Sequence, residues 1–373
     1  MWFQSALSIL LVGFWSVGTP ANAAKLVYYG WGLPSASYVA SHLTEMEGQP
    51  FDGTAIAIPI DRTAWSAGKR DPDNQLGWAV FGSRRFGISA FADTIAELGS
   101  IKWRRFTENF LPVVINTSKQ TQDLSWFDDA HWETITQNWS ILLKIARRAH
   151  CRGVILDPED YGGHLFDYDF MVTRHPGSFE QYQAIARRRG RDLMRHGRQI
   201  FPSLVVLGLF GPSLPLDIDS EADLTRNRYA LFAAFVDGLV DGADSDFRFV
   251  DGGEFSYTLR DPEQFRSLRA TMRQHVAARS TLPDSARHRI QVGFGLWIDN
   301  GGKRHWFAEQ PWRNYFTPSG FEDALTAALR ESDEYVWIYS QEVGFFPPVA
   351  LPREYLDAMQ RALKAASLAP KDF

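Results

Sequence analysis

Short apolar runs recur along the chain, and stretches of helical periodicity separate most of them. The runs are Lys25–Trp31, Thr54–Ile60, Leu111–Ile115, Val154–Leu156, Leu204–Phe210, Arg248–Val250, Ile290–Ile298 and Tyr335–Tyr339. Helical patterning falls at Ser35–Met46, Ala90–Leu98, Ala130–His150, Ser178–Phe201, Ala222–Val240, Pro262–Arg279, Phe321–Arg330 and Pro352–Ala366. No two runs are joined by a two-residue hairpin turn, so each pair needs a crossover and the strands are expected to be parallel. Eight such units predict an α/β fold, a single (β/α)8 barrel with a long excursion at Asp61–Lys102 after the second strand. A doubly wound open sheet is the competing fold. It is disfavoured because no Gly-rich phosphate loop follows the first strand.

The N-terminus breaks this rhythm. Ala6–Gly18 is an apolar run of leader length, and Ala21-Asn22-Ala23 matches a small-residue cleavage site. Residues 1–23 are therefore expected to be a signal peptide and residues 24–373 the barrel domain. The protein is expected to be exported to the periplasm or beyond, with no membrane span in the mature chain.

Composition narrows the chemistry. A net charge of −5 gives no general attraction to nucleic acid. The six arginines of the Ser178–Phe201 helix (Arg187, Arg188, Arg189, Arg191, Arg195 and Arg198) read as a solvated face. Cys151 is the single cysteine, which excludes an intrachain disulfide and a cysteine-based zinc site. It precedes an apolar strand and is expected to be a buried thiol. The nine histidines show no ligand spacing such as H-x-H or H-E-x-x-H, so neither a metal nor another cofactor is expected. Asn116-Thr117-Ser118 and Asn138-Trp139-Ser140 match the glycosylation sequon. No obligate protein partner is inferred.

In a parallel barrel the chemistry gathers at the C-terminal strand tips. Those tips carry Trp31, Asn116, Asp157, Glu159, Glu254, Tyr257, Trp297, Asp299, Tyr339 and Glu342. Carboxylates and aromatics dominate the set, and histidine is missing from it. Cleavage of a glycosidic bond needs one carboxylic acid to protonate the leaving oxygen and a second carboxylate as nucleophile or base. Flat aromatic faces suit sugar rings. The candidate catalytic residues are Glu159 as acid, Asp157 beside it, and Glu254 as second carboxylate with Glu342 in reserve. The candidate substrate-binding residues are Trp31, Asn116, Tyr257, Trp297, Asp299 and Tyr339, and the expected partner is a carbohydrate substrate. Each residue also has a structural alternative: Asp157 as a turn cap, Glu159 as a solvated loop acid, Glu254 as half of an ion pair, Glu342 as a loop anchor.

Two resemblances bear on this. The stretch Arg152–Glu159 resembles the strand-four signature of family 18 chitinases, D-G-x-D-x-D-x-E, at Gly153, Asp157 and Glu159. Arg152 and Ile155 stand where that signature has acids. The resemblance implies Glu159 as proton donor. More broadly, Tyr28–Gly32, Phe51-Asp52-Gly53, Trp126–Asp129, Asp157–Tyr161 and Asp251–Glu254 resemble a group of uncharacterised exported bacterial barrel proteins related to glycoside hydrolases. That likeness implies a barrel and a sugar-like substrate. The expected function is an exported glycoside hydrolase acting on an oligo- or polysaccharide. A non-catalytic carbohydrate-binding barrel and a metal-dependent hydrolase using Asp157, Glu159 and Asp299 are the alternatives.

Overall fold

Parallel hydrogen bonding runs through two groups of strands in the computed structural model, which describes residues 24–66, 71–214, 224–300 and 305–368. The expected leader, residues 1–23, lies outside the described residues. One group has the order β2 (Gly53–Thr54), β1 (Lys25–Tyr28), β9 (Tyr335–Tyr339), β8 (Phe294–Trp297). The other runs β3 (Phe110–Thr117), β4 (Gly153–Tyr161), β5 (Val205–Gly208), β6 (Arg248–Asp251), β7 (Ile290–Val292).

Two seams join the groups into a ring. Ala55, just past β2, bridges Phe110 of β3 in parallel, and the Ile56 N–H donates to the Phe110 carbonyl at 2.9 Å. At the other seam β7 continues through Gly293 into β8, while the Gly293 N–H donates to the Asp251 carbonyl at 2.7 Å. The seventh apolar run, Ile290–Ile298, is therefore one barrel stave that changes partners at Gly293. It pairs with β6 before that glycine and with β9 after it. The fold is a (β/α)8 barrel.

The helices form where apolar spacing and capping agree. Asp128 caps helix Asp129–Arg148 by accepting the His131 N–H at 3.0 Å. Ser178 and Gln181 make a capping box at the start of helix Phe179–Ile200. The arginines of that helix are largely matched to acids: Arg187 to Asp241, Arg188 and Arg189 to Asp129, and Arg198 to Asp244. Arg189 is itself buried, so this face is only partly solvated and offers no open basic patch.

Several local expectations change. Between β4 and the helix Phe179–Ile200 lies a short helix, Tyr168–Arg174, capped by Asp167. Both sequon asparagines are fully buried. Asn116 accepts the Leu165 N–H at 2.8 Å and Asn138 accepts the Phe86 N–H at 3.1 Å. Neither is reachable as an acceptor in the folded chain. Cys151 is buried, and burial pushes its thiol up to about 12. Among the described residues no helix is long and apolar enough to cross a membrane.

Candidate active site

The strands end in a cavity of about 320 Å³ at the C-terminal mouth of the barrel. β4 supplies Asp157, Glu159 and Tyr161; the turn after β6 supplies Glu254 and Tyr257; β8 and β9 supply Trp297 and Tyr339. Tyr29 and Trp31 follow β1. The long excursion folds back as a series of short helices and brings Trp65, Gln75 and Trp78 over the mouth. The excursion is thus a wall of the cavity.

β4 delivers its acids through an irregularity. Val114 pairs with Asp157, but Asn116 pairs with Asp160, so β4 holds one more residue than β3 between these pairs. Such bulges re-aim side chains next to sites. Asp157 is buried and accepts the Glu159 N–H at 2.9 Å on Oδ1. The Tyr161 hydroxyl lies 3.0 Å from Asp157 Oδ2 and also contacts Glu159 Oε2.

Glu254 reaches the same space through a turn that only glycine allows. A Cβ on Gly252 would lie 2.1 Å from the Gly208 carbonyl oxygen and 2.9 Å from Trp337 Nε1. Gly253 takes the left-handed conformation, with φ +56°. The Glu254 N–H then donates to the Leu209 carbonyl at 2.9 Å, and its carboxylate accepts a bond from Tyr257. What the two glycines approach is β5 and the Trp337 indole, not a ligand. Among the described ion pairs, none holds Glu254 to an arginine.

The electrostatics follow from packing three acids into a poorly solvated space. Burial first, and the Glu159 charge second, push Asp157 up to about 7. Burial, then the charges of Glu159 and Asp157, push Glu254 up to about 8. Tyr29 feels Asp157, Glu159, Tyr339 and Glu254, so its phenol is held well above the usual range, by burial first. Mutual influence of this kind places the acids of β4 and the acid after β6 around one space.

Aromatic rings form two walls. Tyr257 stacks on Tyr339 at 5.5 Å and meets Trp297 edge-on at 5.8 Å. On the other side Trp31, Trp78 and Tyr161 follow one another, with centroids 6.4 and 5.7 Å apart and planes tilted by 37° and 35°. Trp31 is 55% exposed and joins the walls by donating its indole N–H to the Tyr339 hydroxyl at 2.5 Å.

No protein-family model matches the sequence, and no curated protein matches it. Solved structures it resembles include glycoside hydrolases. One is a GH5-4 broad specificity endoglucanase from an uncultured bacterium, at 11% identity and TM-score 0.45 over 87% of this chain and 84% of that one. Another is a glycoside hydrolase family 5 enzyme from Prevotella bryantii, at 10% identity and TM-score 0.45 over 89% and 88%. A third is a chitinase from Chromobacterium violaceum, at 11% identity and TM-score 0.42 over 91% and 99%.

Of the residues expected at the tips, the cavity brings together Asp157, Glu159, Glu254, Trp31, Tyr257, Trp297 and Tyr339. Three others lie outside its lining. Asn116 is buried beneath it, holding the Leu165 backbone. Glu342 is exposed, and its backbone rather than its carboxylate is engaged, donating to Asp299. Asp299 is buried and accepts three consecutive backbone N–H groups, from Gln341, Glu342 and Val343. Among the described residues no group of three or more His, Cys, Asp or Glu is placed to hold a metal ion. Residues unforeseen from sequence are Tyr29, Trp65, Gln75, Trp78, Tyr161 and Gln341. Strand alternation offers Asp157, Glu159 and Tyr161 to one side, a signal that could have found Tyr161.

Proposed function

We propose that the protein is a glycoside hydrolase, with Glu254 as general acid and Glu159 as the second carboxylate. The observation that carries this reading is the convergence of three carboxylates in one aromatic-walled cavity at the barrel mouth. A general acid must hold its proton at the working pH. Glu254, pushed up to about 8, meets that requirement at neutral pH. Glu159 faces the same cavity from β4 and is the carboxylate placed to support a developing oxocarbenium ion or to activate water. The sequence favoured Glu159 as acid; burial of the residue after β6 supports the reverse division.

Sugar chemistry also suits the walls. A cavity of about 320 Å³ falls at the small end of ligand sites, at roughly 300–1,000 Å³. Its Trp and Tyr faces can cover apolar ring faces, while Gln75, Gln341 and the tyrosine hydroxyls offer bonds to sugar hydroxyls.

The test is a panel of polysaccharides and aryl glycosides given to the purified protein, with Glu254→Gln and Glu159→Gln as controls. Hydrolysis should fall at least about 100-fold in each variant, with the thermal midpoint kept. Glu254→Gln should recover activity selectively on substrates whose leaving group needs no proton. Saccharide binding without turnover by the wild type would replace the enzyme with a carbohydrate-binding barrel.

A further inference from the structure

Tyr161 touches two acids with one hydroxyl. A phenol carries a single hydrogen and can donate it to one acceptor, while its oxygen can accept a second bond. The Tyr161 oxygen lies 3.0 Å from Asp157 Oδ2 and also within bonding contact of Glu159 Oε2. Two ionised carboxylates cannot both be satisfied by that one hydrogen. Both contacts become hydrogen bonds only if one carboxyl carries a proton and donates it to the phenol oxygen.

The surroundings decide which. Asp157 is 3% exposed, and its other oxygen is taken by the Glu159 N–H at 2.9 Å. Glu159 is only partly buried and lines the open cavity. Charge is less well tolerated at the deeper acid, and Asp157 is the one pushed up to about 7. The other titratable groups that bear on the trio are Tyr29 after β1, Tyr229, whose hydroxyl accepts the Asp160 N–H, Glu254 and Tyr257 after β6, and Tyr339 on β9. All are acids or phenols, so none of them relieves the crowding of negative charge.

We propose that Tyr161 is a proton bridge: Asp157 Oδ2–H donates to the Tyr161 oxygen while the Tyr161 hydroxyl donates to the Glu159 carboxylate. This deepens the glycosidase reading, on which its catalytic consequence rests. The bridge orients Glu159 and gives it a path for protons. If both hydrogens shift along the bridge, Asp157 loses one proton, Glu159 gains one, and Tyr161 is unchanged. Glu159 can thus exchange a proton with a buried store. Tyr161 is a positioning residue in this scheme, and so is Asp157.

The bridge and a merely structural Tyr161 predict opposite shifts. If Tyr161 only donated to an ionised Asp157, Tyr161→Phe would remove a stabiliser of the carboxylate, and the Asp157 midpoint would rise. If Asp157 donates to Tyr161, the same change removes a stabiliser of the acid form, and the midpoint should fall by up to about one pH unit. The experiment is a carbon-13 NMR titration of carboxyl-labelled aspartate in wild type and Tyr161→Phe, with the Asp157 signal assigned by its loss in Asp157→Asn. A fall supports the bridge; a rise or no change overturns it. An independent check compares Asp157→Asn with Asp157→Ala. The Asn amide can mimic the protonated acid, keeping a donor toward Tyr161 and an acceptor for the Glu159 N–H. It should retain at least about tenfold more activity than Ala, and equal losses would overturn the bridge. If the wild type hydrolyses no glycoside, the proposed function fails, and the titration still decides the bridge.

Discussion

The Trp297 indole N–H donates to Asp299 Oδ1 at 2.7 Å. The same carboxylate accepts the N–H groups of Gln341 at 2.9 Å, Glu342 at 2.5 Å and Val343 at 2.7 Å on Oδ2. One buried acid therefore fixes a cavity aromatic at the end of β8 and the backbone turn after β9. Asp299 acts on the site through what it holds.

Asp299→Ala should destabilise the protein by about 1–3 kcal/mol, because it leaves the buried Val343 N–H and three partly buried donors without their shared acceptor. Urea unfolding measures this. Where the variant still folds, KM should rise because Trp297 and the Gln341 turn are released. A loss below about 1 kcal/mol would mean that solvent reaches those donors.

The raised acids also make stability depend on pH. Asp157 moves from 3.8 to about 7 and Glu254 from 4.5 to about 8, so the folded state holds protons that the unfolded chain has released. Their contribution is complete below about pH 4 and is lost as pH rises through about 7 to 8. Thermal midpoints measured from pH 5 to 9 should decline across that window. Glu254→Gln, which cannot ionise, should flatten the decline and be more stable than wild type at pH 9. A parallel decline in both proteins would place the titrating groups elsewhere.

Trp31 is the most exposed of the cavity aromatics and stands beside Trp78. Trp31→Ala should raise KM about tenfold and leave kcat within about threefold, since a stacking face contributes binding shared by ground and transition states. Its effect on the thermal midpoint should be small. A fall in kcat with unchanged KM would instead assign Trp31 to the reacting sugar.

Gly252→Ala places a methyl group against the Gly208 carbonyl and the Trp337 indole, both fixed in the barrel wall. The expected cost is about 1–3 kcal/mol of overpacking, read from urea unfolding. Activity should fall further than stability, because the turn that aims Glu254 must move. Unchanged activity on a destabilised protein would separate the turn from the catalytic geometry.

The sequence by itself determined the barrel. Eight apolar runs, separated by crossovers long enough for helices and free of hairpin turns, leave few ways to bury every strand, and hydrophobic burial alone enforces the result. It also placed Asp157, Glu159 and Glu254 at strand tips, because tips follow directly from where apolar runs end. Side-chain direction was beyond it. Asn116, Asp299 and Glu342 sit at equally good tip positions, yet two turn inward to bond backbone and the third is exposed. That difference depends on where neighbouring strands leave unsatisfied N–H groups, which local sequence does not encode. Nor could the sequence bring Trp65 and Trp78 across from the excursion, since a long irregular segment has no period to fix its path. The upward push on Asp157 and Glu254 was decided last of all. It arises from their shared burial and their closeness in space, and both exist only once β4 and the turn after β6 face each other across the mouth.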